Sequence, residues 1–302
     1  MRLGFSLVVL LNAVVATPAA AAANEFIIGP DGAVDVTVNG KPARMLFRGV
    51  GSSTLILNPE NAKRFGVKTG IIKFPIRYRV GPHRINGKSG VTRYSVGGKE
   101  VKRRVGWFER DVAAGFDGLL GPVAIDYPIV TQRLRAPVAG EKAITFYASN
   151  FGYNGVGVVF RGKPFTYMMF DPTAPTSIIN APFANEIAPG LRGHFEGDVH
   201  ERVVAFGVSR PVRSIEFGKP WMIGTAAANI SLYRADVRTL PGEKTDTIPD
   251  KAPDPDEIIV LAPGQIDNRQ RYIIVGADAL SHCSSISFDK PKRQITLRCV
   301  PN

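Results

Sequence analysis

The chain has 302 residues, 44% of them hydrophobic, and its 38 Lys and Arg side chains outnumber 26 Asp and Glu to give a formal net charge of +12. This length supports one large or two medium-sized domains with a sizeable core, so stability need not depend on disulfide bonds. Basic and aromatic residues do not recur together as they do in nucleic-acid-binding proteins, which argues against nucleic acid as a partner.

Residues 1–23 have the pattern of a secretory signal peptide. Arg2 supplies a positive charge, a mostly apolar run extends from Leu3 to Val15, and small residues follow up to Ala23. The apolar run is too short for a stable membrane span. We therefore predict an exported protein, periplasmic or secreted, that has no membrane span after cleavage. An uncleaved anchor is the alternative.

From residue 24 onwards the pattern is mostly that of short β-strands. Apolar and polar residues alternate from Val34 to Val38 and again from Ile72 to Val80, and turn dipeptides such as Asn39-Gly40 separate the runs. Alternation with a period of two indicates half-buried strands. Together with 31 glycines and 23 prolines, it favours an all-β sandwich or barrel with few, short helices.

The positive charge is concentrated between Lys73 and Arg110. This segment has eleven basic side chains and only two acidic ones, Glu100 and Glu109. A basic cluster attracts anionic partners over long distances. The alternative is a solvated β-surface that happens to be basic.

Two segments look like two copies of one loop. Residues 45–55 read MLFRGVGSSTL and residues 168–178 read MMFDPTAPTSI. Each has an apolar triplet, one charged residue, small turn residues, hydroxyl residues and an aliphatic residue. The charged position is Arg48 in the first copy and Asp171 in the second.

The elements that follow these loops also occur twice. A short helix is predicted about ten residues after each charged position, opening at Asn58-Pro59 and at Ala181-Pro182. An aliphatic segment that runs into glycine comes later in each half, at residues 116–121 and 272–276, and a short closing strand follows at residues 143–146 and 294–297. This repeated order predicts two lobes, residues 24–150 and 151–302.

The two cysteines, Cys283 and Cys299, flank a strand–turn–strand pattern whose midpoint is Pro291. A hairpin folded at this proline places them opposite each other, where a disulfide can form in an oxidising compartment. The cysteines lack the spacing of metal ligands. His194 and His200, with acidic neighbours, also match no known ligand pattern, so no metal or other cofactor is expected.

The arrangement of loops, helices and glycine-ended segments resembles the pepsin and retropepsin family of aspartic proteases, in particular exported bacterial relatives with two retropepsin-like lobes. The resemblance implies a two-lobe double β-barrel with an aliphatic-Gly segment packed beneath each loop. In the family each loop supplies one Asp, and the two carboxylates share a proton across a bound water. Here Asp171 remains, Arg48 stands at the first position, and Gly49 and Pro172 stand where the family has Thr.

Arginine cannot replace the missing acid, because its guanidinium stays protonated and has no acceptor atom. We therefore expect a catalytically inactive protein in which Arg48 and Asp171 form a salt bridge between the lobes, or in which Asp171 only bonds to its own turn. The alternative is an active aspartic endopeptidase in which Asp171 meets a second carboxylate, from another chain or from Asp117 or Asp278.

The resemblance also makes the hairpin at about residues 72–96 a flap over the cleft between the lobes. Because this hairpin lies in the basic segment, we expect Arg77, Arg79 and Arg84 to bind a peptide or an anionic envelope ligand. An extended peptide could also pair with a strand edge there. The sequence leaves the oligomeric state open.

Overall fold

The computed structural model describes residues 24–49, 54–69, 76–80, 83–152, 155–160, 166–225, 227–238 and 271–301. The expected signal peptide at residues 1–23 lies outside the described residues. So does the stretch from Leu240 to Glu257, which is rich in proline, aspartate and lysine and which its composition predicts to be an exposed loop. None of the helices within these ranges has the length and apolar character needed to cross a membrane.

The described residues form mainly β-strands, and the all-β fold class predicted from the sequence is confirmed. The strands are β1 (Glu25–Ile28), β2 (Ala33–Val38), β3 (Lys41–Phe47), β4 (Ile56–Leu57), β5 (Ile76–Val80), β6 (His83–Val96), β7 (Lys99–Phe108), β8 (Gly118–Leu120), β9 (Ile129–Arg133), β10 (Lys142–Gly152), β11 (Gly155–Phe160), β12 (Thr166–Phe170), β13 (Ile178–Asn180), β14 (Gly193–Ala205), β15 (Val208–Thr225), β16 (Ala228–Arg238), β17 (Arg271–Val275), β18 (Cys283–Asp289) and β19 (Gln294–Cys299). The helices are short: α1 (Pro59–Arg64), a 3-10 turn (Pro122–Ala124), α2 (Ala181–Leu191) and α3 (Ala277–Leu280).

The first lobe is a closed barrel. Its strands lie in the order β2-β3-β8-β4-β7-β6-β5, and an additional pairing of β2 with β6 closes six of them into a ring. The alternating residues Val34, Val36 and Val38 of β2 point inward and are at most 4% exposed. The period-two pattern seen in the sequence therefore marks the barrel interior.

The second lobe repeats the strand order of the first. Its strands lie in the order β11-β12-β17-β13-β16-β15-β14. The successive neighbours are antiparallel, parallel, antiparallel, parallel, antiparallel and antiparallel, and the first lobe has the same sequence of directions. The repeated order of elements in the sequence thus corresponds to a repeated topology, in a double-barrel fold.

A further set of strands, β1-β9-β18-β19-β10, joins the lobes in one continuous sheet. Thr145 and Thr296 hold the same place in the two closing strands, and they pair with each other with their Oγ1 atoms 3.1 Å apart. An approximate two-fold axis therefore passes through this pair. The boundary predicted between residues 150 and 151 falls inside β10, which pairs with β19 through its first half and with β11 through its second.

One face of this shared sheet carries an apolar row that runs across four strands. Its members are register partners and are buried: Val130, Phe288, Ile295 and Phe146. Phe47, which ends β3, meets Phe288 with ring centroids 5.9 Å apart, and Phe170, which ends β12, meets Phe146 at 5.4 Å. The strands that lead into the two predicted loops thus both pack against this apolar row.

The disulfide predicted between Cys283 and Cys299 is confirmed, and the two residues are register partners in the β18–β19 hairpin. A bulge at Ser284 shifts the register by one residue, which brings the cysteines opposite each other. The Ser284 hydroxyl donates to Glu141 at 2.6 Å, and its carbonyl accepts from the Leu134 amide at 2.7 Å. Contacts from outside the hairpin therefore fix the position of the bulge.

Helix α1 begins directly after Asn58, as predicted, and an asparagine at this position is expected to cap the helix with its side chain. Asn58 makes no capping bond to its own helix. Its amide donates to the carbonyls of Ala113 and Phe116, both at 2.9 Å, and its oxygen accepts from the Val112 amide at 2.8 Å. The buried asparagine therefore holds the loop before β8, because its side chain satisfies backbone groups of that loop.

The turn of the C-terminal hairpin reaches across to the first lobe. Lys290 donates its ammonium group to the carbonyls of Pro122 and Ile125, and its backbone amide donates to the Pro128 carbonyl at 3.0 Å. Desolvation lowers the pKa of Lys290 to about 8, although the carboxylate of Asp126 opposes the shift.

We expect Lys290 to make the protein more stable as the pH rises from about 8 to 10.5. In this window the unfolded chain holds a proton that the folded chain has already released, so raising the pH favours folding. The variant Lys290→Met lacks this titration. Urea unfolding should therefore show that the stability of the wild type relative to the variant increases through the window. A stability difference that stays constant with pH would contradict the prediction.

Candidate functional site

Arg48 and Asp171 occupy equivalent positions in the two lobes. Each follows the last residue of a strand that runs parallel to a central strand, β3 beside β8 and β12 beside β17. The Arg48 amide donates to the Leu120 carbonyl at 3.0 Å, and the Asp171 amide donates to the Val275 carbonyl at 2.9 Å. The two charged residues thus make equivalent backbone hydrogen bonds, as the sequence repeat indicated.

Glycines let the aliphatic segments approach the loop regions closely. A Cβ atom on Gly276 would lie 2.7 Å from the Ala174 carbonyl oxygen and 2.8 Å from the carbonyl carbon of Thr176. In the first lobe, a Cβ on Gly118 would lie 2.1 Å from the Ile56 carbonyl oxygen. Any larger residue would push the backbones apart, so Gly276, which ends its segment, and Gly118, which lies inside residues 116–121 and opens β8, are both required by backbone packing.

The Arg48 and Asp171 side chains are in contact across the junction of the lobes. Arg48 donates from Nε to Asp171 Oδ2 at 3.1 Å, and its Nη2 donates to the same oxygen. The carboxylate of Asp171 is 0% exposed, whereas the guanidinium side chain keeps 23% of its surface accessible. The inter-lobe salt bridge proposed from the sequence is present.

Gly49 explains how the two loops come this close. A Cβ atom at this position would lie 2.5 Å from the Phe170 carbonyl oxygen and 2.9 Å from the Phe288 ring. A threonine, which the aspartic proteases have at the corresponding position, would therefore collide with the second loop and with the apolar row of the shared sheet. The close approach of the two loops therefore depends on glycine at position 49.

The second oxygen of Asp171 binds its own turn. Asp171 Oδ1 accepts from the Thr173 amide at 3.0 Å and from the Thr173 hydroxyl at 2.6 Å. The sequence offered an inter-lobe salt bridge and a turn-capping aspartate as alternatives, and both occur, one on each oxygen. Four donors therefore surround the carboxylate, which leaves no position for a proton shared with a second carboxylate.

The two carboxylates considered as substitutes for the missing acid have other partners. Asp117 accepts from the Arg44 amide at 2.9 Å and forms an ion pair with Arg64 at 2.7 Å. Asp278 accepts from the amide and the hydroxyl of Ser177 at 3.0 and 2.7 Å. Neither carboxylate has a hydrogen bond to the ion pair within the described part of the chain.

The β5–β6 hairpin presents two different faces. Arg79 is the register partner of Arg84, and Tyr78 is the register partner of Ile85. Neighbouring residues on a strand point to opposite faces. The exposed Arg77 and Arg84 therefore lie on the face opposite to Tyr78 and the buried Ile85. The part that these arginines and Arg79 play in binding stays a prediction.

The tip of the β14–β15 hairpin contacts the apolar face of this first hairpin. Phe206 lies in the turn between β14 and β15, and its ring centroid is 4.7 Å from the ring centroids of both Tyr78 and Phe108. The sequence analysis did not identify this contact. The signal for it was an aromatic residue beside Gly207 at a turn where polar residues are usual.

A second polar group joins the end of β16 to the start of β17. Arg238, at the end of β16, is 3% exposed and donates to the Tyr272 hydroxyl at 2.6 Å. Desolvation raises the pKa of the Tyr78 phenol although the residue as a whole is 44% exposed. Tyr272 adds to the rise, and Arg238 and Arg48 oppose it. Tyr78 of the first lobe is thus within electrostatic reach of charges from both lobes.

The histidines that were considered as metal ligands lie on β14. His194 is 3.7 Å from Glu196, and His200 lines an open cavity of about 400 Å³ together with acidic residues. Among the residues that the structure describes, no group of three or more His, Cys, Asp and Glu side chains has a geometry that could hold a metal ion.

We expect Arg48→Met to destabilise the protein by about 3–5 kcal/mol, because the substitution leaves a fully buried carboxylate without its counter-charge. Urea unfolding at neutral pH measures the effect. The matched control is Lys63→Met, which removes an exposed lysine paired with Glu60 and should cost about 0.5 kcal/mol or less. Equal costs for the two variants would show that the ion pair does not stabilise the fold.

The protein-family models and the curated proteins with which the chain was compared contain no match to it. The likeness to aspartic proteases therefore rests on the order of the elements in the sequence and on the position of the two loops.

Proposed function

We propose that this chain is an exported, aspartic-protease-like protein that has no peptidase activity and that binds a peptide or an anionic envelope ligand between its lobes. The observation that carries the proposal is the ion pair between Arg48 and Asp171 at two equivalent loop positions. The repeated strand order supports the family resemblance, and the disulfide agrees with export to an oxidising compartment.

The chemistry of the ion pair argues against hydrolysis. An aspartic protease needs one carboxylate to accept a proton from water and a second group to give a proton to the substrate. Arg48 cannot exchange a proton in this way. Asp171 is fully buried, and its two oxygens already accept bonds from Arg48 and Thr173. A water molecule therefore has no free carboxylate oxygen to bind.

The surroundings of the ion pair favour binding of a ligand with negative charge. Arg48 keeps part of its surface accessible, and Tyr78 lies within electrostatic reach of both Arg48 and Arg238. Arg77 and Arg84 add positive charge on the outer face of the first hairpin. Such a distribution attracts an acidic ligand over long range and leaves polar groups to contact it.

We expect no cleavage of peptides by the purified mature protein between about pH 3 and 7, because the second acidic group is missing. Internally quenched peptide libraries give the measurement, and Asp171→Asn should match the wild type at the background rate. Cleavage by the wild type that disappears in Asp171→Asn would instead establish the alternative, an active aspartic endopeptidase with a second carboxylate.

We expect the double variant Arg77→Glu/Arg84→Glu to bind oligoglutamate about tenfold more weakly than the wild type at low salt, with the difference shrinking as salt screens the charges. Fluorescence anisotropy of a labelled oligoglutamate measures this. The control Lys292→Glu/Arg298→Glu has the same net charge but changes the C-terminal hairpin. If Arg77→Glu/Arg84→Glu binds oligoglutamate as tightly as the wild type at both low and high salt, a role for these arginines is contradicted.

A further inference from the structure

The outer wall of the first barrel carries a compact basic patch. Four residues of the β6–β7 hairpin form it, Val91, Arg93, Lys102 and Arg104, and we call them the outer patch. Val91 is the register partner of Arg104, and Arg93 is the register partner of Lys102. Because side chains alternate between the two faces of a strand, all four project from one face, opposite to Tyr94, which belongs to the main core.

All four residues of the outer patch are open to solvent. Val91 is 52% exposed, the Arg93 side chain is 65% exposed, and Lys102 and Arg104 are exposed as well. Arg104 donates from Nη1 to Ser89 Oγ at 2.9 Å, which holds its guanidinium along the sheet. The patch therefore presents one apolar side chain among three cations on a sheet surface.

The charges of the outer patch are poorly balanced within the fold. Arg93 and Lys102 stand directly opposite each other, and like charges in this arrangement destabilise a β-sheet. The neighbouring carboxylate of Glu100 lies 3.9 Å from Arg93, and both side chains are more than half exposed. Such a surface pair contributes little to stability.

The repeat of the fold allows the outer patch to be compared with the second lobe. Ile56 and Ile178 occupy equivalent places, because each pairs with the residue two before the glycine that ends its aliphatic segment. Their register partners on the next strand are Gly106 of β7 and Asp236 of β16. These two positions therefore align β7 with β16.

In this alignment Arg104 is equivalent to Arg234, since each lies two residues before the aligned position. Arg234 faces Glu216 across β15 and β16, whereas Arg104 faces Val91 across β6 and β7. Glu216 and Arg234 are exposed, and opposite charges that face each other stabilise a sheet. The second lobe thus places a counter-charge where the first lobe has an apolar residue, and the first lobe is suited to a counter-charge from outside.

We infer that the outer patch binds the surface of a membrane that contains anionic lipids, with its three cations against the phosphate headgroups and Val91 at the boundary of the acyl chains. Basic side chains are attracted to an anionic lipid surface, and apolar side chains among them enter the interface. Val91 favours a lipid surface over a soluble polyanion, because a polyanion offers no apolar phase.

The inference goes beyond the proposed function and does not depend on it. The proposed ligand lies between the lobes, whereas the outer patch lies on the wall of one barrel, on the face turned away from the barrel interior. A protein bound to a membrane through this patch therefore uses residues that the ion pair between Arg48 and Asp171 does not involve.

Cosedimentation with lipid vesicles tests the inference. One set of vesicles contains equal parts of phosphatidylcholine and phosphatidylglycerol, and the other contains phosphatidylcholine alone. The variant Val91→Glu gives the first lobe the cross-strand pair that the second lobe has at Glu216, so we expect it to fold. The matched control Val203→Glu makes the same change of charge at a valine of β14 that is 64% exposed.

We expect the wild type and Val203→Glu to bind the anionic vesicles, and Val91→Glu to bind them at least about tenfold more weakly, since its carboxylate repels the headgroups and neutralises Arg104. The difference should shrink as salt screens the charges, and vesicles of phosphatidylcholine alone should bind none of the three proteins. Failure of the wild type to bind, or equal binding by Val91→Glu and Val203→Glu, would overturn the inference.

The variant Val91→Ser separates a lipid surface from a soluble polyanion, because it keeps every charge of the patch. We expect it to bind the anionic vesicles about threefold more weakly than the wild type, since less apolar surface enters the interface, and to bind soluble polyphosphate as the wild type does. Binding of Val91→Ser to the vesicles at the affinity of the wild type would make a soluble polyanion the occupant and would overturn the choice of a lipid surface.

A fluorescent label locates the contact directly. A polarity-sensitive fluorophore on Val91→Cys should shift its emission to shorter wavelength when anionic vesicles are added, because position 91 enters the interface. The same label on Val203→Cys should keep its emission unchanged. The cysteines of the native disulfide are buried, so labelling without reductant leaves them intact. A shift at position 203 without a shift at position 91 would overturn the inference.

The outcomes separate this inference from the proposed function. Peptide cleavage by the wild type would refute the proposed function and would leave vesicle binding at the outer patch in place. Failure of the vesicle experiment would leave the ion pair and the expected absence of hydrolysis untouched.

Discussion

A buried carboxylate must be paired and hydrogen-bonded to be tolerated, and the Asp171 carboxylate is completely buried at the junction of two lobes. Arg48 and Thr173 together supply its donors. Because Arg48 comes from the other lobe, separating the lobes would leave an uncompensated charge in each. In the proposed function, the contact that holds the lobes together also accounts for the absence of peptidase activity, because it occupies Asp171 Oδ2.

The shared sheet makes this contact feasible. Strands from both halves form one continuous surface, with Thr145 paired to its own equivalent Thr296 on an approximate two-fold axis. The apolar row on this sheet supports Phe47 and Phe170, the residues directly before the two charged positions. With the strands fixed in this way, the distance between the loops depends on the residue at position 49, and only glycine avoids the carbonyl of the opposite loop.

Much of the fold was accessible from the sequence, because alternation, turn residues and the repeated loop are local signals. The cysteine pair could be predicted from its midpoint, Pro291. Other features depend on contacts between distant segments. Asn58 serves the loop before β8 and not the helix that it precedes. The Phe206 contact joins hairpins of different lobes, and no pattern within either hairpin specifies which surface the ring meets. The faces on which the hairpin arginines lie follow from strand register, which the sequence alone did not give.

The central claim is that Arg48 and Asp171 stabilise the junction as a pair. A double-mutant cycle with Arg48→Met, Asp171→Leu and the combined variant, followed by urea unfolding, measures the coupling free energy directly. The account predicts a coupling of about 2–3 kcal/mol, with the double variant more stable than Arg48→Met alone because no buried charge remains. A coupling below about 0.5 kcal/mol, within the range of independent sites, would contradict it.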